Sequence, residues 1–217
     1  MAQTEYAVRL QHVTKTFGPV VANKDVSLSV RRGEILALLG ENGSGKTTLM
    51  NMIAGIYYPD EGEIYVGDKA VTIRSPRDAL DLGIGMIHQH FKLVDVFTAA
   101  ENITLGLDEK LDLKATAARI RSICERYGFD LDPNQKIYDM SVSQKQTVEI
   151  VKALYRGADI LILDEPTNHL DADAKAELKR ALKDYKGSIL MVCHEPEFYE
   201  GLATGVWDCS AWSTKRG

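Results

Sequence analysis

Residues 40 to 48 read Gly40-Glu41-Asn42-Gly43-Ser44-Gly45-Lys46-Thr47-Thr48. The spacing is G-x-x-x-x-G-K-T, in which glycines let successive backbone N–H groups turn inward around an anion. An apolar run, residues 35–39, precedes this stretch, and a helix-like run, residues 49–54, follows it. A buried strand, a glycine-rich loop and a new helix in this order predict a phosphate-binding loop. We expect Lys46 to reach the β- and γ-phosphates of a nucleotide, and Thr47 to hold Mg²⁺ through its hydroxyl.

The composition limits the classes of protein and of partner. A chain of 217 residues with 45% apolar content can build a large core. Its formal net charge of −5 argues against a nucleic acid partner. No apolar run approaches the roughly 20 residues of a membrane span, and the polar residues 1–5 do not resemble a signal peptide. The odd number of cysteines, widely spaced in apolar patterns, predicts small core residues rather than a metal site: Cys124, Cys193 and Cys209.

Strand-like and helix-like patterns alternate along the chain. Short β-like bursts before residue 40 predict antiparallel strands, with a further hairpin near residues 63–71. The continuously apolar runs 160–163 and 188–192, with a helical pattern between them, predict a parallel sheet covered on both faces. We therefore expect an α/β fold, in which a parallel-sheet core is joined by an antiparallel β subdomain and a helical insert.

The expected organisation is a single domain over residues 1–217. Apolar residues recur at helical spacing in the middle of the chain. We assign the core and β subdomain to residues 1–91 and 157–217, and the helical subdomain to residues 92–156.

Two carboxylates and a histidine follow predicted strands. Asp164 and Glu165 end the run 160–163, and His194 ends the run 189–193. Because the carboxyl ends of parallel strands meet at one edge, we expect these residues near the phosphate loop. Asp164 could support Mg²⁺, and Glu165 could orient the attacking water as a base. The alternative for the carboxylates is a solvated pair at a strand end, and for His194 a structural role.

Three other places carry candidates for nucleotide contact. Gln89 follows the predicted strand 85–87 and could sense the nucleotide, and Phe17 could stack on adenine or be a core residue. Ser141-Val142-Ser143-Gln144 precedes a helix and has the spacing of a capping box. The same exposed helix start could also receive a phosphate bound by another subunit, and the spacing leaves both roles open.

In this order, the motifs resemble the nucleotide-binding domain of an ATP-binding cassette (ABC) ATPase. The resemblance covers essentially the whole chain and implies ATP and Mg²⁺ as ligands. It matches residues 40–48 to the Walker A loop, Asp164 to the Walker B aspartate and Glu165 to the catalytic glutamate. It further implies the following roles: Phe17 as the aromatic on adenine, Gln89 as the Q-loop residue at the metal, Ser141 to Gln144 as the signature, Asn168 to Asp171 as the D-loop, and His194 as the switch histidine.

The resemblance also implies what the domain does. Two such domains meet head to tail and sandwich two ATPs, so one domain alone should hydrolyse ATP poorly. Residues 85–93, 100–103 and 148–154 resemble the ATPase subunits of bacterial simple-sugar and nucleoside importers, which commonly carry two such domains. The expected partners are a second cassette and transmembrane permease subunits, at the inner face of the cell membrane.

Other features resemble a different branch. Residues 165–171 and 194–198 look more like soluble tandem ABC proteins that act on ribosomes, and this is the alternative function. The signature also departs from the usual Leu-Ser-Gly-Gly-Gln, because Ser143 brings a Cβ and a hydroxyl where backbone approaches a γ-phosphate. Thr147 stands where an arginine is usual. A catalytically weak structural partner is therefore a third possibility, opposed by Glu165 and His194.

Overall fold

The computed structural model describes residues 5–88, 91–107, 112–168 and 170–209. This part of the chain forms two β-sheets and a set of helices. The strands are β1 (Tyr6–Phe17), β2 (Val20–Arg31), β3 (Ile35–Leu39), β4 (Glu61–Val66), β5 (Lys69–Val71), β6 (Ile84–Ile87), β7 (Ile160–Asp164), β8 (Ser188–Val192) and β9 (Gly205–Asp208). The helices are α1 (Lys46–Ile53), α2 (Pro76–Asp81), α3 (Ala99–Thr104), α4 (Leu113–Tyr127), α5 (Val142–Tyr155), α6 (Ala172–Asp184) and α7 (Pro196–Tyr199), with a 3₁₀ turn at Ile137–Asp139.

The smaller sheet is antiparallel and has the strand order β2-β1-β4-β5. It contains the predicted early strands and the predicted hairpin, which is formed by β4 and β5. Strands β1 and β2 pair along most of their 12 residues each, with register shifts between Leu10 and Lys15. They are longer than their apolar cores because their far ends, including Phe17, are exposed and are held by backbone pairing together with surface contacts such as that of Lys15 with Asp60.

The larger sheet is parallel in every pairing and has the order β6-β7-β8-β3-β9. Successive residues of β7 enter opposite core clusters: Leu161 and Leu163 lie in one, and Ile160 and Ile162 in the other. Each such buried side chain contributes about 1.5–3 kcal/mol relative to an exposed one. The sheet is thus covered on both faces, and the predicted α/β fold is confirmed.

Helices α3, α4 and α5 pack against one another, and α5 also packs against β6. The buried side of this group includes Ile120, Cys124, Val148 and Val151. These helices lie inside the predicted insert, but the boundaries of the domain at residues 92 and 156 stay a prediction.

The arrangement of the parallel strands positions the candidate residues. Strand β3 leads into the loop 40–45, β7 ends at Asp164, and β8 is followed by His194. Parallel strands bring these ends to one edge of the sheet. All cysteines are buried, as expected of core residues. Within the described ranges, no helix is both long and apolar enough to cross a membrane.

Candidate functional site

The loop between β3 and α1 is built around glycines. Gly40, Gly43 and Gly45 have φ angles of 150°, 83° and 89°. Gly45 caps α1 in the left-handed conformation, and a Cβ there would lie 2.3 Å from the carbonyl oxygen of Ala22. Only glycine avoids both the backbone strain and this clash. The free N–H groups at the start of α1 therefore remain available to an anion, as the sequence predicts.

Lys46 lies folded over this loop and is 5% exposed. Its Nζ donates to the carbonyl oxygens of Gly40 and Glu41, both at 2.7 Å, and to Ser44 Oγ at 3.2 Å. An ammonium group has three donors, so each one has an acceptor on the loop. A phosphate bound in the loop would compete with these oxygens for the same protons.

The loop meets the end of β7 through Thr47 and Asp164. The Thr47 hydroxyl donates to Asp164 Oδ1 at 3.3 Å, across 117 positions of sequence. Asp164 is 4% exposed, and this burial raises the pKa of its carboxyl group. The Thr47 hydrogen bond acts against the shift, and the charge of Glu165 adds to it. A hydroxyl and a carboxylate are hard oxygen ligands, so the pair fits Mg²⁺, whose charge would stabilise the ionised form.

Glu165 begins the turn that follows β7. Its φ is 50°, in a region that costs a non-glycine residue free energy and is often found at functional sites. Asn168 Nδ2 donates to Glu165 Oε2 at 2.5 Å, and His194 Nε2 lies 3.5 Å from Glu165 Oε1. The structure therefore brings together Glu165 and His194, which the sequence predicted at one edge. Both side chains keep contact with solvent, as a group that accepts a proton from water must.

Phe17 stands at the end of β1 and is 41% exposed, so its interpretation as a core residue is wrong. Its ring meets the ring of Tyr57 edge to face, with centroids 5.1 Å apart and planes at 72°. Lys15 Nζ lies 5.5 Å from the Phe17 ring centroid. An exposed, supported ring can stack on a base, and the contact with adenine stays a prediction.

The motif at residues 141–144 forms the capping box of α5. Gln144 N–H donates to Ser141 Oγ at 3.2 Å, and Ser141 N–H donates to Gln144 Oε1 at 2.9 Å. Gln144 also bonds Gln135, and the carbonyl of Ser143 accepts from the Thr147 hydroxyl at 3.2 Å. Among the hydrogen bonds of the described residues, none links this motif to residues 40–48. The capping role is thus confirmed, and contact with a nucleotide on another subunit stays a prediction.

The remaining candidates are placed in different ways. Asp171 caps α6, where its Oδ1 accepts from Ala174 N–H at 2.9 Å. Asn42 is exposed on the loop and Thr48 is partly exposed in α1, and their contacts with nucleotide stay predictions. Gln89 lies outside the described residues, so its roles at the metal and in catalysis also stay predictions.

Sequence reasoning named Asn168 only as the start of the D-loop, and it missed Tyr57 and Asn23, which also support the site. Asn168 holds Glu165, Tyr57 supports Phe17, and Asn23 donates through Nδ2 to the carbonyl of Gly45 at 3.2 Å. Asn168 lies three positions after Glu165, a spacing typical of turns, which gave a usable signal. Tyr57 and Asn23 lie in no recognisable motif, and only the folded structure brings them to the site.

Comparison with known proteins places this geometry in context. The family model described as "ABC transporter" matches residues 23–168. The nucleoside import ATP-binding protein NupA of Lactococcus lactis is 50% identical over 199 residues, covering 88% of this chain and 39% of that protein. The guanosine import ATP-binding protein NupO of Bacillus subtilis is 50% identical, covering 83% of this chain and 36% of that protein. The glucose import ATP-binding protein TsgD13 of Haloferax volcanii is 39% identical, covering 92% and 42%.

The chain thus spans about two fifths of the length of these relatives. Among solved structures, a dimeric bacterial ABC transporter cassette is similar, with a TM-score of 0.79 and 25% identity. The similarity covers 93% of this chain and 94% of that cassette.

Proposed function

The chain belongs to the ABC transporter family, and on this premise we propose that it binds and hydrolyses ATP to drive a membrane importer of nucleosides or sugars. The import names of the relatives support the direction of transport and the class of solute. The observation that carries the proposal is the hydrogen bond between Thr47 and Asp164, because it joins the phosphate loop to the carboxylates at the strand ends.

The site residues divide the work between binding and chemistry. The loop N–H groups and Lys46 hold the phosphates, and Thr47 with Asp164 would hold Mg²⁺, which supplies positive charge when bound. Glu165 orients a water molecule for attack on the γ-phosphorus and accepts its proton, while the bond to ADP breaks. His194, whose Nε2 lies 3.5 Å from Glu165 Oε1, would contact the γ-phosphate beside it.

The functional unit we propose is a pair of cassettes. Two observations support it: a similar cassette is dimeric in its solved structure, and no hydrogen bond among the described residues links the start of α5 to residues 40–48. In this arrangement Ser141, Ser143, Gln144 and Asp171 serve the nucleotide of the other cassette. The extra side chain at Ser143 then weakens that composite site relative to a glycine.

The membrane partner would be a permease at the inner face of the cell membrane. A cavity of about 220 Å³ lies where the end of α1, α2 and β6 meet α5. Its lining includes Ile56, His88, Glu149, Lys152 and Arg156. A partner segment bound there would contact both the nucleotide-binding core and the helices of the predicted insert. Any movement between the two would therefore displace that segment.

Charge offers a test of this contact. Burial lowers the pKa values of Lys152 and Arg156, while the Glu149 carboxylate acts in the opposite direction. Lys152→Glu should therefore abolish co-purification with permease subunits encoded in neighbouring genes, because it reverses a half-buried charge in the cavity. Lys69→Glu, on the exposed strand β5, is the matched control and should co-purify normally. Equal recovery of permease with both variants would exclude the cavity as the contact.

The two alternatives receive less support. The relatives compared above are import proteins, and none of them supports the alternative of a protein that acts on ribosomes. A purely structural partner would not need Glu165 and His194 side by side at the end of the sheet.

ATP binding is tested most directly at Lys46. Lys46→Ala should weaken Mg-ATP binding by about 1.5–3 kcal/mol, the scale of hydrogen bonds to charged groups, as measured by titration calorimetry. Lys69→Ala removes an exposed lysine and should leave the affinity unchanged. Unchanged affinity in Lys46→Ala would contradict this placement of the phosphates.

A further inference from the structure

Asn23 is a buried side chain that touches the phosphate loop without belonging to any motif. It lies in β2, is 1% exposed, and its Nδ2 donates to the carbonyl oxygen of Gly45 at 3.2 Å. The same carbonyl accepts the first hydrogen bond of α1, from Leu49 N–H at 2.9 Å. Gly45 is also the position where an added Cβ would lie 2.7 Å from Asn23 Nδ2. The contact between β2 and the loop is therefore close and specific.

The carbonyl of Gly45 fixes the direction of the next N–H group. A trans peptide is planar, with its C=O and N–H pointing in opposite directions. Because two donors hold the Gly45 carbonyl, the N–H of Lys46 must point the other way, out of the start of α1. That N–H is among those without an intrahelical partner, which are the groups available to a phosphate.

Stability alone does not explain an asparagine at this position. Within the described part of the chain, Asn23 Oδ1 is a buried atom without a hydrogen-bond partner. A buried acceptor left unpaired costs free energy, which an apolar side chain of similar size would avoid. Asn102 offers the opposite case, since it is also buried and its Oδ1 and Nδ2 bond Val94 and Thr98.

From these contacts we infer that Asn23 is a positioning residue for phosphate binding: it orients the Gly45–Lys46 peptide so that the Lys46 N–H faces the bound phosphate. The inference rests on the proposed function, since it needs a loop that binds phosphates. It also links the loop to the antiparallel sheet, whose strand β1 carries Phe17.

The experiment compares Asn23→Leu with Asn102→Leu. Binding of Mg²⁺-loaded inorganic triphosphate and of Mg-ATP is measured by calorimetry, and thermal unfolding by circular dichroism. Asn23→Leu should weaken binding of both ligands about tenfold, because the Lys46 N–H is no longer held toward the charged ligand, while the melting temperature of the variant stays equal or rises. Asn102→Leu should lower the melting temperature and leave both affinities unchanged. A merely structural role of Asn23 would give the second pattern for both variants.

Each outcome decides a separate point. Parental affinity for triphosphate in Asn23→Leu would overturn the inference. If that variant does not fold, Asn23→Ala, which adds no atoms, decides in its place by the same two measurements. Failure of the parent chain to bind either ligand would instead overturn the proposed function.

Discussion

At the scale of the residue, the burial of Asp164 ties stability to function. Its folded-state pKa is raised above the ordinary value of 3.8, chiefly by burial. Between these two pKa values the folded state binds more protons than the unfolded state, so stability falls as the pH rises through that window. Above the unfolded-state pKa, burial of this carboxyl group therefore lowers the stability of the fold.

Asp164→Asn tests whether the buried carboxyl group lowers the stability of the fold. The amide keeps an acceptor for the Thr47 hydroxyl and removes the buried charge, so the variant should melt at a higher temperature than the parent at about pH 7. The difference should shrink as the pH falls toward 3.8, because the parental carboxyl is protonated in both states only below that value. Mg²⁺-dependent ATP binding should weaken at the same time.

The exposed Asp68 supplies the control for that experiment. Asp68→Asn makes the same chemical change in the exposed turn between β4 and β5, and should melt close to the parent at neutral pH. If Asp164→Asn were less stable than the parent at neutral pH, the carboxylate would be a stabilising group, and the argument from burial would fail.

Single residues also show where sequence reasoning reaches its limit. The placement of five candidates at one edge of the sheet could be predicted, because each lies in the glycine loop or directly at a strand end: Lys46, Thr47, Asp164, Glu165 and His194. The φ of 50° at Glu165 could not, since the chain after a strand can turn in several ways. The role of Asn23 could not be predicted either, because its hydrogen bond to the Gly45 carbonyl depends on how two separate strands and a loop pack.

At the scale of the element, the start of α5 caps its own helix and is also proposed to contact the nucleotide of another cassette. Helix α3 carries a second capping box, formed by Thr98 and Glu101. Both boxes cap a helix, but only the box at α5 belongs to the proposed contact with another cassette. Variants of the two boxes can therefore distinguish helix stabilisation from nucleotide contact.

Ser141→Ala and Thr98→Ala should each lower the free energy of unfolding by about 0.5–2 kcal/mol, the cost of losing a helix cap. Chemical denaturation measures this. Only Ser141→Ala should also impair ATP-dependent dimerisation, which light scattering detects, because its hydroxyl is the one proposed to face the other cassette's phosphate. Equal dimerisation of the two variants would leave Ser141 with the capping role alone.

The elements were predicted with different success for physical reasons. Strands β7 and β8 were predicted closely because both faces are buried and every residue except Asp164 and Ser188 is apolar. Strands β1 and β2 run further than predicted because their outer residues are polar or exposed and are held by backbone pairing and surface contacts rather than by burial in the core. Hydrophobic periodicity reflects burial, so it does not indicate the parts of a strand that extend beyond the core.

At the scale of the whole molecule, the phosphate loop and the start of α5 belong to different groups of elements. The phosphate loop and the strand-end carboxylates lie together, whereas the start of α5 bonds only within the helical group among the described hydrogen bonds. A second cassette would bring such a helix start to each nucleotide. Closure of the pair would then depend on ATP, and opening on its hydrolysis.

Glu165→Gln should trap this cycle in its closed state. Glutamine keeps the size of the side chain but cannot take a proton from water, so hydrolysis should be nearly abolished while Mg-ATP binding stays near the parental affinity. Because ATP then persists between two cassettes, the variant should accumulate as an ATP-bound dimer, seen by size-exclusion chromatography with light scattering. Glu125→Gln, on the exposed side of α4, makes the same chemical change away from the site and should behave as the parent. Hydrolysis at the parental rate in Glu165→Gln would remove this carboxylate from the mechanism, and a variant that binds ATP without hydrolysis yet stays monomeric would instead contradict the paired cassette.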